Sequence, residues 1–198
     1  VRDAQRRAIA DALARAGLEG RVLADLVVFL ELLERFGGVT NLRGPSGGRR
    51  ALVDTLGALA GAQFLSGVET LVDVGSGNGF PAIPILIAQR QMTGVLLEPR
   101  ERRWAFLCEA VRELKVSAVV RRERVGEHRG GPYGALTCRG VAAREWVGEV
   151  ARLVVPGGLV MCWTGPERVE WEGGDRVLPS PLSTPGGGLL HVWRRCFT

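Results

Sequence analysis

Lysine is nearly absent from this chain: Lys115 is the only one, so arginine carries almost all of the positive charge. The bias is read as nucleotide composition of the source genome, without mechanistic weight. No uninterrupted apolar run approaches the roughly 20 residues that a membrane-spanning helix requires, and the first residues are charged rather than signal-like. This argues against a membrane role and predicts a cytoplasmic protein. The four cysteines, Cys108, Cys138, Cys162 and Cys196, form no CxxC pair and have no zinc-type histidine spacing, so free buried thiols are expected and no metal. Only two histidines are present, His128 and His191, and each is read as non-catalytic. There is no P-loop Gly-Lys-Ser/Thr, no internal repeat and no disordered low-complexity tract.

What is there suits one catalytic domain with a short appendage. The 198 residues, 46% hydrophobic and 24% charged, can bury a single sizeable core. A formal charge of +5 favours a polyanionic partner, nucleic acid first. Residues 1–66 read as a helical appendage: Ile9, Leu13 and Ala16, then Val22, Leu26, Phe29, Leu30 and Leu33, recur at helical spacing, and a third helix fits Arg49 to Gly61.

From residue 67 to 198 the pattern becomes short apolar strands alternating with helices, which predicts an α/β fold: a mostly parallel, doubly wound sheet. The expected strands are Thr70 to Val74, Gly94 to Glu98, Ala118 to Arg121, Gly134 to Cys138 and Leu159 to Trp163. Helices are expected near Ile83 to Gln91, Arg100 to Leu114 and Ala142 to Leu153, and Leu189 to Trp193 reads as an antiparallel edge strand.

The chemistry concentrates after the first strand. Gly75, Gly77 and Gly79 lie between a buried strand and a helix, where the backbone can turn tightly and approach a ligand closely. Asp73 ends that strand, and Glu98 ends the next, about 20 residues past the turn, where a carboxylate accepts hydrogen bonds from a ribose diol. A 2′-phosphate would be repelled there, so adenosine fits and NADP does not. The turn reads GxGxG rather than the dinucleotide GxGxxG, and an acidic turn suits a cationic sulfonium with its ammonium better than a pyrophosphate. The residues thus point to S-adenosylmethionine and a Rossmann-like class I methyltransferase.

The segment Asp73-Val-Gly-Ser-Gly-Asn-Gly-Phe-Pro-Ala-Ile-Pro84 resembles the turn of the small-subunit ribosomal RNA guanine-N7 methyltransferases, also called RsmG or glucose-inhibited division protein B. Leu96-Leu-Glu-Pro-Arg-Glu-Arg-Arg-Trp-Ala-Phe-Leu107 is similar to that family's second strand and following helix. Thr137-Cys-Arg-Gly-Val-Ala142, Val39-Thr-Asn-Leu42 and Val53-Asp-Thr-Leu56 resemble three further pieces. The resemblance implies an S-adenosylmethionine-dependent RNA methyltransferase acting on guanine N7 of 16S ribosomal RNA, with ribosomal RNA or the small ribosomal subunit as partner. The oligomeric state is left open, a monomer being compatible with the pattern.

For the site, the turn and the resemblance together imply cofactor contacts from Asp73, Gly75, Gly77, Gly79, Phe80, Glu98, Arg124, Val125 and Arg139. Arg139 is also the positioning residue. It cannot be a base, because guanidinium stays protonated, and none is needed, because guanine N7 already carries a lone pair. Asn41, Asp54, Arg102, Arg103, Trp163 and Thr164 are the candidate RNA contacts; Trp163 could stack a base, although a tryptophan at a strand end more often belongs to the core. Arg100, Arg121 and Arg122 extend a basic rim.

Two departures stand out: Ala51 or a neighbour occupies the place of the family histidine ahead of Asp54, and Thr164 that of a lysine. They keep open a methyltransferase with another substrate, or a non-catalytic RNA-binding or ribosome-assembly protein.

Overall fold

The computed structural model describes residues 3–15, 17, 20, 22–37 and 47–196. Three helices come first, α1 (Asp3–Arg15), α2 (Val22–Gly37) and α3 (Gly47–Ala62). Helix α2 buries Val22, Leu26, Phe29, Leu30 and Leu33, the three- and four-residue spacing that places apolar side chains on one helical face.

The sheet region then alternates β1 (Thr70–Val74), α4 (Ala82–Ala88), β2 (Thr93–Leu97), α5 (Glu101–Leu114), β3 (Ala118–Arg121) and β4 (Tyr133–Arg139). Helix α5 has Glu101 in its first turn and Arg112 in its last, matching the helix dipole, and stops at Lys115 in a left-handed conformation. Two short helices follow, α6 (Ala143–Trp146) and α7 (Val150–Leu153), then β5 (Val154–Thr164), β6 (Gly174–Arg176), β7 (Leu182–Thr184) and β8 (Gly188–Arg195).

The sheet order is β3-β2-β1-β4-β5-β8-β6, with β7 also on β8. Strands β1 to β5 are parallel, and β8 runs antiparallel to β5. This is the expected mixed, doubly wound sheet, with three differences of detail. The outer edge of β8 is covered by β6 and β7, three-residue strands too short to show a period in sequence. The helix expected over Ala142 to Leu153 is broken by a 3₁₀ turn, Val147–Glu149, around Gly148, a poor helix residue. Helix α4 ends at Ala88.

Side chains alternate along the strands and build one apolar layer on each face. Leu71, Leu96, Ala135, Leu159 and Met161 meet α1 to α5 on one side; Val72, Val74, Leu136, Cys138 and Val160 meet α6 and α7 on the other. The N-terminal helices share the first layer: Phe29 of α2 packs edge-on against Phe80 with ring centroids 5.2 Å apart. All four cysteines are free, but only Cys138 and Cys162 are buried; Cys108, midway along α5, and Cys196, just past β8, are half-buried. No helix among the described residues is long and apolar enough to cross a membrane.

Of the two readings of Trp163, the structure shows the core one. Its side chain belongs to the core, 5% exposed, and its indole N–H donates to the Gly57 carbonyl at 3.0 Å, locking β5 to α3. Helix α3 approaches this closely only because of Gly61, where an added Cβ would lie 2.4 Å from Trp163 Cζ2. Gly61→Ala should therefore cost about 1–3 kcal/mol by overpacking, read from urea unfolding. Unchanged stability would show that the indole is free to move.

Candidate active site

Val74 of β1 pairs with Leu97 of β2 on one side and Cys138 of β4 on the other. Successive connections leave β1 in opposite directions here, which opens a crevice at the carboxyl ends of the strands. A cavity of about 500 Å³ fills it, lined from the turn by Gly75, Gly77 and Phe80, from β2 by Glu98, and from the following loops by Arg124, Val125 and Arg139. That volume lies in the range of small-molecule sites.

The turn is shaped by its glycines. Gly75, Gly77 and Gly79 all have positive φ, at 69°, 57° and 91°. A Cβ on Gly75 would lie 2.5 Å from Val141 Cγ2, and one on Gly79 2.8 Å from Ile83 Cγ1. Backbone bonds close the turn, from Ser76 N–H to the Leu97 carbonyl and from Gly79 N–H to that of Ser76.

Glu98 is 3% exposed and holds the turn to β2: its Oε2 accepts from Gly77 N–H at 2.9 Å and its Oε1 from Arg100 N–H at 2.8 Å. A carboxylate has about four lone-pair positions, so two remain for hydroxyl groups of a ligand. Asp73 lies beneath the turn, fully buried, with Oδ1 accepting from the Thr137 hydroxyl at 2.6 Å. Its Oδ2 has no hydrogen-bond partner among the described residues. Burial lifts this carboxyl from its ordinary 3.8 to about 7, against the lowering effect of the Thr137 and Ser76 hydroxyls. The glycine cradle and the Glu98 carboxylate fit an adenosine ligand; Asp73 and Gly79, expected as direct contacts, do not line the cavity, so Asp73 can act on a cation there only through its charge from beneath the turn.

Arg139, at the end of β4, donates to Asp54 Oδ2 at 2.7 Å and lies 5.8 Å from the Phe80 ring centroid. Asp54, on α3, also takes Arg50 Nε at 3.1 Å, so one nearly buried carboxylate holds two guanidinium groups. Arg139 borders both the large cavity and a second one of about 180 Å³, which Asp54 and Thr164 also line.

Among the other expected contacts, Arg103 lines the large cavity, whereas Arg102 is an exposed surface residue that lines neither cavity; one residue along α5 is a turn of about 100°. Thr164 spends its hydroxyl on the Gly165 and Glu167 carbonyls, at 3.0 and 2.8 Å, and supplies no charge. Asn41 lies outside the described residues. Neither histidine faces the crevice directly. His128 is bonded between Glu123, at 2.6 Å, and Tyr133, at 2.7 Å, and burial lowers the pKa of His191.

Sequence reasoning missed Glu123, Val141 and Glu145, which line the large cavity. Glu123 and Val141 had signals, the loop after the third strand and the Thr137 to Ala142 segment; Glu145 had none without the sheet order.

Comparison with known proteins agrees with this geometry. A family model described as rRNA small subunit methyltransferase G matches residues 22–176. The ribosomal RNA small subunit methyltransferase G of Coxiella burnetii (strain Dugway 5J108-111) is 36% identical over 141 residues, spanning 68% of this chain and 67% of the relative. That of Stenotrophomonas maltophilia (strain K279a) is 31% identical over 194 residues, 91% of this chain and 89% of the relative. Similar solved folds include a mutant of MtNAS in complex with S-adenosylmethionine, at TM-score 0.61 and 14% identity, covering 84% of this chain and 73% of that one. P. horikoshii TYW2 in complex with MeSAdo follows at TM-score 0.57 and 13% identity, covering 74% and 64%.

Proposed function

Because the chain belongs to the rRNA small subunit methyltransferase G family, we propose that it methylates guanine N7 in the RNA of the small ribosomal subunit. It is an S-adenosylmethionine-dependent methyltransferase acting on ribosomal RNA. The observation that carries the reading is the Glu98 carboxylate, fixed by two backbone amides in the lining of a cavity that shares Arg139 with a second one.

The cofactor supplies an activated methyl group. Glu98 is placed to hold its ribose hydroxyls, the glycine turn to admit it, the loop at Arg124 and Val125 to cover its adenine, and Asp73 to offset its positive charge. The nucleophile is the N7 lone pair, so the protein's task is alignment rather than proton removal. No general base is required, which agrees with the sequestered positions of His128 and His191. Arg103 and Arg124 add positive charge at the rim for phosphate, so RNA affinity should fall steeply with salt.

Cofactor affinity should depend on pH through Asp73. Only its ionised form attracts a cation, so binding strengthens as pH rises through about 7 and levels off above. Below that point it weakens by up to about tenfold per pH unit, and Asp73→Asn removes the slope. Titration calorimetry from pH 5.5 to 8.5 reads this. In the ligand-free protein the sign is opposite: the folded state binds the extra proton between about 4 and 7, so stability declines as pH rises through that window.

Mass analysis of ribosomal RNA digests tests the assignment in cells. Deleting the gene should remove one 7-methylguanosine from small-subunit RNA, and an unchanged digest would refute the RNA target.

A further inference from the structure

The Arg139–Asp54 pair stands between the two cavities in a definite order. Arg139 borders both, and Asp54 only the smaller. The smaller cavity, about 180 Å³, is bounded by Pro81, Gly57, the Trp163 edge and Gly186. It is too small for an adenosine cofactor and of the size of a single flipped-out base. Both members are fixed: the Asp54 side chain is 7% exposed and held by Arg50 as well, and Arg139 lies against Phe80.

We propose that Arg139 and Asp54 together read the edge of the target guanine in this smaller cavity, Arg139 donating to O6 and Asp54 accepting from N1–H. This rests on the guanine-N7 reading above. An arginine N–H beside a carboxylate oxygen offers donor then acceptor, the complement of guanine's O6 acceptor beside its N1–H donor. Adenine presents an amino donor beside an N1 acceptor and meets the pair with both polarities reversed. Asp54 has the capacity, since its two arginine bonds occupy only part of the lone-pair positions of a carboxylate.

Order along the base edge supplies the second argument. In guanine, N7, O6 and N1–H follow one another. With O6 on Arg139 and N1–H on Asp54, N7 falls on the side of the larger cavity, where the methyl donor binds. One contact pair thus selects the base and points its nucleophilic atom. Reading a flipped base by its hydrogen-bonding edge is how enzymes that modify bases commonly choose them.

Small subunits lacking the modification, reconstituted with guanine, inosine or 2-aminopurine at the position the wild-type protein methylates, test this. Inosine keeps O6 and N1–H; 2-aminopurine lacks both yet retains N7. The wild-type protein should methylate inosine within about fivefold of guanine and 2-aminopurine at least about a hundredfold more slowly, because two charge-assisted bonds are lost. Asp54→Asn should slow transfer to guanine by about ten- to a hundredfold, with S-adenosylmethionine affinity changed less than threefold by calorimetry. Equal rates on guanine and 2-aminopurine, or full turnover by Asp54→Asn, would overturn the assignment. Absence of 7-methylguanosine with wild-type protein on guanine subunits would overturn the reading beneath it instead, and the pair's role with it.

Discussion

Glu98→Gln is expected to weaken S-adenosylmethionine binding by about a hundredfold or more, the loss of two hydrogen bonds to a charged acceptor at about 1.5–3 kcal/mol each. Both carboxylate oxygens of Glu98 accept backbone N–H groups, from Gly77 and Arg100. An amide side chain can satisfy only one of them, and its NH₂ turns toward the other, donor against donor. The turn then loses one of its ties beside β2, the Ser76 N–H bond to the Leu97 carbonyl remaining, in addition to losing the charge that ribose hydroxyls would meet. Calorimetry reads the affinity. Urea unfolding should show a smaller loss, because Asp73, Ser76 and the three glycines still close the turn. Wild-type affinity in Glu98→Gln would mean that the ribose is held elsewhere.

Arg139→Ala is expected to lower kcat by about a thousandfold with small-subunit RNA as substrate, while cofactor affinity falls less than about tenfold. Misplacing a reacting atom by about 1 Å can by itself cost about a hundredfold, and this arginine positions two things at once. It holds Asp54 at 2.7 Å across the gap between α3 and β4, and it packs over Phe80 of the turn. Without it the nearly buried Asp54 carboxylate keeps only Arg50, a costly state for a desolvated charge. Arg139→Lys retains the charge without the planar fork and should recover only part of the rate. A change confined to the KM for RNA would make Arg139 a phosphate contact and not a positioning residue.

Where sequence sufficed and where it did not follows from the range of the interactions involved. The turn was readable because everything that shapes it is local: a buried strand, three glycines with positive φ, and an acid at the end of the next strand. Arg139 was reached through the resemblance of its segment, and the sheet order β2-β1-β4 explains it, since β4 lies beside β1 only in the folded chain. Glu145 depends on that same adjacency and had no local signature.

Trp163 takes the core reading that a strand-end tryptophan favours. A tryptophan at a strand end near a binding crevice looks available for stacking, but its partner, the Gly57 carbonyl, comes from a helix distant in sequence. Arg102 and Arg103 were equivalent in sequence, and only the phase of α5 against the sheet separates them. The pairing of Asp54 with Arg139 joins two residues that sequence had placed in separate roles, one toward RNA and one toward the cofactor as well.

The most direct test incubates the purified chain with methyl-labelled S-adenosylmethionine and small ribosomal subunits from cells lacking the modification, followed by mass analysis of the digested RNA. The label should appear in one 7-methylguanosine per subunit RNA and should disappear with Glu98→Gln at limiting cofactor. Label in a different nucleoside, or none despite measured cofactor binding, would contradict methyl transfer to guanine N7.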